Sequence, residues 1–288
     1  MTLRNTLELF KLRIGFMIAL TAMVGYAAVA EDISVGPLLV LGLAMLLGSA
    51  SSSVFNHFYD RDIDRLMVRT QKRPLASGAM RNPAAALWLA GVLLVAGLWL
   101  AAGSFNWAVA VHLFLGAFVY GVVYTVWLKR RTWLNIVIGG AAGSFAILAG
   151  AAAVDPNIWL LPTLMAVTLF LWTPSHFWAL AILLKDDYAK AGVPMLPVLV
   201  GEARCARWIL INTVALVASA ALPWVLGELG WLYGVLATAA GLRFLWLNVR
   251  LCRDPGPAMA RRTFLGSMQY LGAVFLAVVL DKHLPAIF

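Results

Sequence analysis

Charge is scarce in this chain. Only 12% of its 288 residues are charged, roughly half of the ~25% that an ordinary globular protein carries, and no soluble domain could hide the apolar remainder. Cysteine is nearly absent too. Cys205 and Cys252 are the only two; they form no metal-ligand spacing and no disulfide framework, and both fall near the reducing side of the topology derived below. There is no linker or low-complexity stretch, so residues 1–288 read as a single transmembrane domain. The first apolar run lacks a small-residue cleavage site, and no Ser- and Arg-rich amphipathic presequence is visible. Both absences point to a multi-pass protein of a bacterial inner (plasma) membrane. Acidic residues number 13 against 22 Lys and Arg. That imbalance follows from membrane topology, so the bilayer is the expected partner and nucleic acid is not.

Long apolar runs take up the space instead. Hydrophobic residues make up 62% of the chain, with a mean hydropathy of +0.87. Nine runs are long enough to cross a bilayer, at 14–30, 36–58, 84–102, 105–127, 133–153, 158–184, 209–227, 231–250 and 264–281. Backbone groups find no water in a membrane, so runs this long and continuous must be helices and not barrel strands. The fold class expected is all-α, a polytopic bundle of nine transmembrane helices. Lys and Arg cluster in alternate connections: Arg4 to Arg13, Arg61 to Arg81, Lys129 to Arg131, Lys185 to Arg207 and Arg250 to Arg262. The opposite connections hold Glu31, Asp32, Asp155, Glu228 and Asp281, with Lys282 as their one cation. Cations stay in the cytoplasm during insertion, so the first set is cytoplasmic. Two long cytoplasmic connections, 58–82 and 185–208, each follow the second helix of a set of four. The pattern reads as two four-helix repeats plus one helix, and duplicated membrane folds place their sites at the repeat interface.

Chemistry concentrates at the ends of those second helices. Asn56, Asp60 and Asp64 follow at four-residue intervals as an apolar helix leaves the membrane, so they share one helical face. Three oxygen-bearing side chains in a row repel one another unless a cation lies between them. Mg2+ takes hard oxygen ligands and shares them with substrate phosphates, and carboxylates at a membrane edge are costly unless used. A solvated acidic loop is the plainer alternative. Arg61, Arg65 and Arg69 form a second stripe, followed by Lys72 and Arg73, and arginine forks suit phosphate oxygens. Metal and arginine together neutralise a departing diphosphate. Lys185, Asp186, Asp187 and Tyr188 make the second acidic element, after a helix that carries Pro174, Ser175, His176 and Trp178. A third cluster comprises Tyr120, Tyr124, Thr125, Lys129 and Arg130. His57 and His176 lie beside the expected site, whereas His112 sits apart; a hydrogen-bonded structural histidine is the competing reading for each.

The spacing Asn56-x3-Asp60-x3-Asp64 at the end of the second helix resembles the first Asp-rich motif of UbiA-type intramembrane prenyltransferases. Within that superfamily, several stretches resemble the haem-farnesylating branch. They are Asp64 to Thr70 with Arg73-Pro74-Leu75, Leu128 to Thr132 with Asn135 to Gly140, His176 to Ala181, and Ala191 to Val198 with Ser267 and Tyr270-Leu271. The resemblance implies transfer of a farnesyl group from farnesyl diphosphate to a vinyl group of haem b, giving haem O for a downstream haem A synthase. It implies Mg2+ held by Asn56, Asp60 and Asp64, with Asp187 and Asp186 on a second ion or its waters. Asp60, Asp64, Asp187, Tyr124 and His176 would be the catalytic set. Diphosphate or acceptor would be bound by Lys72, Arg73, Lys129 and Arg130, with Arg65, Arg69, His57, Tyr120, Trp178, Lys185 and Tyr188 around them. The chain departs from the superfamily pattern in three places. Leu184 and Tyr188 stand where the second motif has aspartates, Ser144 to Gly150 replaces a proline-rich stretch, and Lys11-Leu12-Arg13 lacks a proline. An enzyme of the same fold with a quinone-precursor or chlorophyll-like acceptor is the near rival. A secondary transporter is the rival of a different class, disfavoured because the acids gather at one membrane edge and not at the midplane.

Overall fold

The computed structural model describes residues 3–80 and 82–284. Arg81 and the side chain of Arg4, both counted with the cytoplasmic cations, lie outside the described residues. The described chain is helical throughout: α1 Leu3–Phe10, α2 Leu12–Ala27, α3 Val35–Tyr59, α4 Arg61–Asp64, α5 Pro83–Ser104 and α6 Trp107–Phe118. A π-helical segment, Val119–Leu128, continues α6. Then come α7 Asn135–Gly139, α8 Ala141–Ala152, α9 Leu160–Leu183, α10 Lys185–Lys190, α11 Leu196–Val225, α12 Trp231–Arg253 and α13 Pro257–His283.

Eight helices among the described residues are long and apolar enough to cross a membrane. The protein is a multi-pass membrane protein. The ninth expected run, 14–30, is α2, which has 16 residues. That length covers only ~24 Å at 1.5 Å per residue, short of the ~30 Å hydrocarbon core. α2 is held by close packing instead. A methyl group placed on Gly150 of α8 would lie 1.8 Å from the Ala22 carbonyl oxygen, and one on Gly25 would lie 2.3 Å from that of Ile147. Glycine at both positions lets the two backbones touch, which is how membrane helices associate without a hydrophobic drive. Trp88, Trp99, Trp107 and Trp231 are exposed near helix ends, in keeping with an aromatic belt at the interfaces.

Polar caps close the connections. Asn106 accepts a hydrogen bond from the Val109 N–H at 3.1 Å and donates to the Ala152 carbonyl at 2.7 Å, fixing α6 on α8. Asp281, near the end of α13, accepts from the N–H groups of Gly230 (2.6 Å) and Tyr233 (3.0 Å) and so caps α12.

Three expected regions differ in form. The connection 185–208 is mostly helical, made of α10 and the first turns of α11, and α11 is bent where Gly201 takes φ 79°. The run 133–153 is divided into α7 and α8 at Gly139–Gly140, where Tyr124 and Thr173 press close. The basic stripe after Arg61 is not a continuous helix face. α4 ends at Asp64, and the chain then turns because Arg73 and Thr70 fold back onto Asp64. The repeat reading matches the packing. α2, α3, α5 and α6 make one half, α7/α8, α9, α11 and α12 the other, and α8 against α2 and α6 joins them. Both acidic elements then fall at the same end of the bundle, each after the second helix of its half.

Candidate active site

Asp60 and Asp64 are both fully buried, at 0% exposure, which an unpaired carboxylate could not sustain. Each is met by cations. Lys129 forms an ion pair with Asp60 Oδ2, and Arg130 approaches Oδ1 at 3.5 Å. A single Arg73 nitrogen, Nη1, reaches both Asp64 carboxylate oxygens, at 3.0 and 2.8 Å, in a charge-assisted pair. Asn56 bridges the group, donating to Asp60 Oδ2 at 2.7 Å and to Thr125 Oγ1 at 3.2 Å. Asn56 Oδ1 accepts from Lys11 Nζ at 2.7 Å, and Lys11 also reaches the Tyr120 hydroxyl at 3.4 Å.

The π-helical segment explains how the third cluster arrives here. Its wide turns free the Tyr120 carbonyl to accept from Thr125 Oγ1 at 2.8 Å and carry Lys129 back under Asp60. Tyr120 and Tyr124 stack at 5.6 Å. Asn135 holds the Lys129 carbonyl at 3.2 Å, anchoring the start of α7 to the same cluster.

Arg130 forks onto Asp62 with two 2.7 Å bonds. That fork holds the Asp62 carboxyl down at about 2 and raises the Arg130 guanidinium. Burial, reinforced by repulsion from Arg73 and Lys129, pushes the Lys11 ammonium well below the usual lysine range.

The second acidic element meets the first loop through Asp187, which accepts from the N–H groups of Val68 and Arg69 at 3.3 Å each. Tyr188 is buried beside it, whereas Asp186 is exposed and Lys185 pairs with Glu202 at 3.4 Å. Arg69 and Lys72 are exposed, and Arg65 is turned away to the Ala76 carbonyl at 2.9 Å. His57 is sealed, with neither ring nitrogen partnered. His176 and Trp178 lie deeper in α9. His176 bonds to Ser267 at 2.7 Å, and Trp178 packs on Trp133.

An apolar cavity of about 100 Å³ begins at Lys11 and Tyr120 and runs inward past Ile14, Gly48, Gly116 and Phe145. Lys11 is a site residue that the sequence marks only as one of the cytoplasmic cations and by the missing proline beside it. A lysine ahead of a membrane helix looks like any topology signal, and no local pattern ties it to Asn56.

The donor set fits a divalent cation with diphosphate. Among the described residues, no three His, Cys, Asp or Glu side chains could hold a metal by themselves. An ion here would need phosphate oxygens to complete its shell, which is the habit of Mg2+. Lys11, Arg73, Lys129 and Arg130 supply the matching anion site.

A helical membrane bundle with hard oxygens, phosphate-seeking cations and an apolar slot at one end defines an intramembrane prenyltransferase. The model described as the UbiA prenyltransferase family matches residues 18–277, and the chain belongs to that family. It is 61% identical to "Protoheme IX farnesyltransferase 1" of Paramagnetospirillum magneticum, over 98% of this chain and 100% of that one. It is 42% identical to "Protoheme IX farnesyltransferase" of Alkalilimnicola ehrlichii, over 98% and 93%. Among solved structures, the fold resembles a digeranylgeranylglyceryl phosphate synthase with TM-score 0.81 at 20% identity, covering 97% of this chain and 98% of that one. It also resembles a UbiA homolog from Archaeoglobus fulgidus bound to GPP and Mg2+, with TM-score 0.74 at 19% identity, covering 95% and 99%.

Proposed function

We propose that this chain transfers the farnesyl group of farnesyl diphosphate to a vinyl group of haem b, giving haem O. The observation that carries the reading is the buried Asp60–Asp64 pair ringed by Lys11, Arg73, Lys129 and Arg130 at the mouth of an apolar cavity. The full-length likeness to protoheme IX farnesyltransferases chooses the acceptor and donor. The four cations take the diphosphate, with Lys129 and Arg73 exchanging a carboxylate for phosphate oxygens. The farnesyl tail follows the cavity away from Lys11 and Tyr120. Asn56, Asp60 and Asp64 would hold Mg2+, with Asp187 and Asp186 on a second ion or its waters. The ion would supply charge neutralisation for the leaving group.

The carbon–oxygen bond to diphosphate breaks as the vinyl carbon bonds to C1 of the farnesyl group. Water then adds to the resulting cation on the haem side and releases a proton. Such a cation survives only where bulk water is excluded, and the bundle interior provides that exclusion. Positive-inside charge supports a site on the cytoplasmic side of a bacterial inner membrane, and we read residues 1–288 as one domain. The test is incubation of purified protein with haem b, farnesyl diphosphate and Mg2+, followed by mass analysis of the porphyrin. A gain of one farnesyl plus water, abolished by chelation, is expected. Unchanged haem despite bound diphosphate would move the acceptor to another lipid-soluble aromatic.

A further inference from the structure

The four histidines are held in different ways. Both nitrogens of His57 are sealed without a partner, as is Nδ1 of His112. His283 Nε2 is bonded to the Ala27 carbonyl at 2.8 Å. His176 Nδ1 is fixed by the Ser267 oxygen, while its Nε2 is neither bonded nor sealed.

The Ser267 hydroxyl sets the tautomer of His176. Ser267 Oγ donates its only proton to the Phe264 carbonyl at 2.6 Å. It can therefore only accept from His176, so Nδ1 carries the hydrogen of the 2.7 Å contact. Nε2 is left with a lone pair. The ring is also clamped on both faces, stacked on Trp172 at 4.2 Å and on Phe264 at 4.5 Å. Trp172 is itself fixed by a 2.8 Å bond from Nε1 to the Ser267 carbonyl. An imidazole that donates Nδ1–H to an oxygen and presents Nε2 in a locked orientation is built as a metal ligand.

Position agrees with this. On α9, Leu169 and Thr173 face α7 and α8, while Ser175 bonds to Thr213 of α11. His176 lies on the side of α9 that meets Ser267 and Phe264 of α13. It lies about two helical turns, roughly 10 Å, inside the acidic end of α9.

We propose that His176 Nε2 is the axial ligand to the iron of the haem acceptor. Ser267 sets the tautomer, and Trp172 and Phe264 set the ring plane. The proposal rests on the haem-farnesylating reading above. Ligation would fix the porphyrin at one depth, so that a vinyl edge is presented toward C1 of the prenyl group. Ser267, Trp172 and Phe264 are positioning residues; His176 touches the substrate.

The test is titration of ferric haem b into the purified full-length protein in detergent, read by the Soret and visible bands and by electron paramagnetic resonance. Wild type is expected to give a histidine-ligated spectrum at one haem per chain. His176→Gly should lose that signature while still binding farnesyl diphosphate, and added imidazole should restore it. Ser267→Ala should keep the signature but weaken haem binding about tenfold, as loss of a supporting hydrogen bond does at metal sites. A His176→Gly protein with the wild-type spectrum and affinity overturns the proposal, as does a wild type that binds haem without a histidine signature. A wild type that binds farnesyl diphosphate yet leaves the haem spectrum unaltered overturns the haem-acceptor reading and this proposal with it.

Discussion

Lys11 Nζ lies 2.7 Å from Asn56 Oδ1, although 45 residues separate them in the chain. The bond ties the start of α2 to the end of α3 and sets a half-buried ammonium between Asn56 and Tyr120. Charge-assisted bonds contribute ~1.5–3 kcal/mol, so Lys11→Met, which keeps the apolar stem, should weaken prenyl diphosphate binding about ten- to hundredfold. Haem binding should change much less. Calorimetry with farnesyl diphosphate and spectral titration with haem b separate the two, and equal losses would instead mark Lys11 as a structural strut.

Asp60 needs a gentler substitution than alanine. Its pairing with Lys129 is buried, and removing one partner of such a pair costs ~3–5 kcal/mol. Asp60→Asn keeps the shape and the bond from Asn56 while withdrawing the charge that a divalent cation requires. Turnover should fall on the order of a hundredfold or more, with the Mg2+ requirement shifted to higher concentration and the protein still monodisperse in detergent. Turnover at the wild-type rate would remove Asp60 from the metal set.

The helical architecture and the acidic stripe were both legible in the sequence because each rests on a local period. Apolar runs of bilayer length gave the spans, and four-residue spacing put Asn56, Asp60 and Asp64 on one face. What local spacing could not carry was the turn after Asp64. Arg65 and Arg69 keep the same period as Arg61, yet the Arg73–Asp64 pair draws the chain back and Arg65 turns to the Ala76 carbonyl. Lys11 was hidden for the same reason, since its partners are long-range. The break of α11 at Gly201 also lay outside a periodicity argument, because one glycine at φ 79° leaves the hydropathy on both sides unchanged.

The crossing of α2 and α8 should be the most size-sensitive point in the membrane domain. A methyl group at Gly150 would meet the Ala22 backbone oxygen at 1.8 Å, and backbone cannot rotate aside as a side chain can. Gly150→Ala should lower stability by ~1–3 kcal/mol, the usual cost of overpacking, and lower the detergent melting temperature accordingly. Gly36→Ala, at a position with no atom within 4 Å of the added methyl, is the control and should leave it unchanged. Equal melting of the two variants would show that α2 and α8 separate readily.

The fork between Arg130 and Asp62 fixes the last prediction through its sign. The folded Asp62 carboxyl is lowered to about 2 by its bonds from Arg130, below the ~3.9 of a free aspartate. A depressed carboxylate contributes stability that is fully present above its unfolded value and is lost as pH falls through the folded value. The window is therefore about pH 4 down to about 2, and the Asp62 side chain is 62% exposed, so solvent screening keeps the effect small. Between pH 6 and 8 the fork is intact, and Asp62→Asn should leave the pH profile of turnover unchanged in shape. Its effect should appear in the KM for prenyl diphosphate, by a fewfold at most, because Arg130 loses a partner that orients it toward Asp60 and not a catalytic proton. A new limb in the pH–rate profile of that variant would show that Asp62 titrates in the working range and that the fork does not persist during turnover.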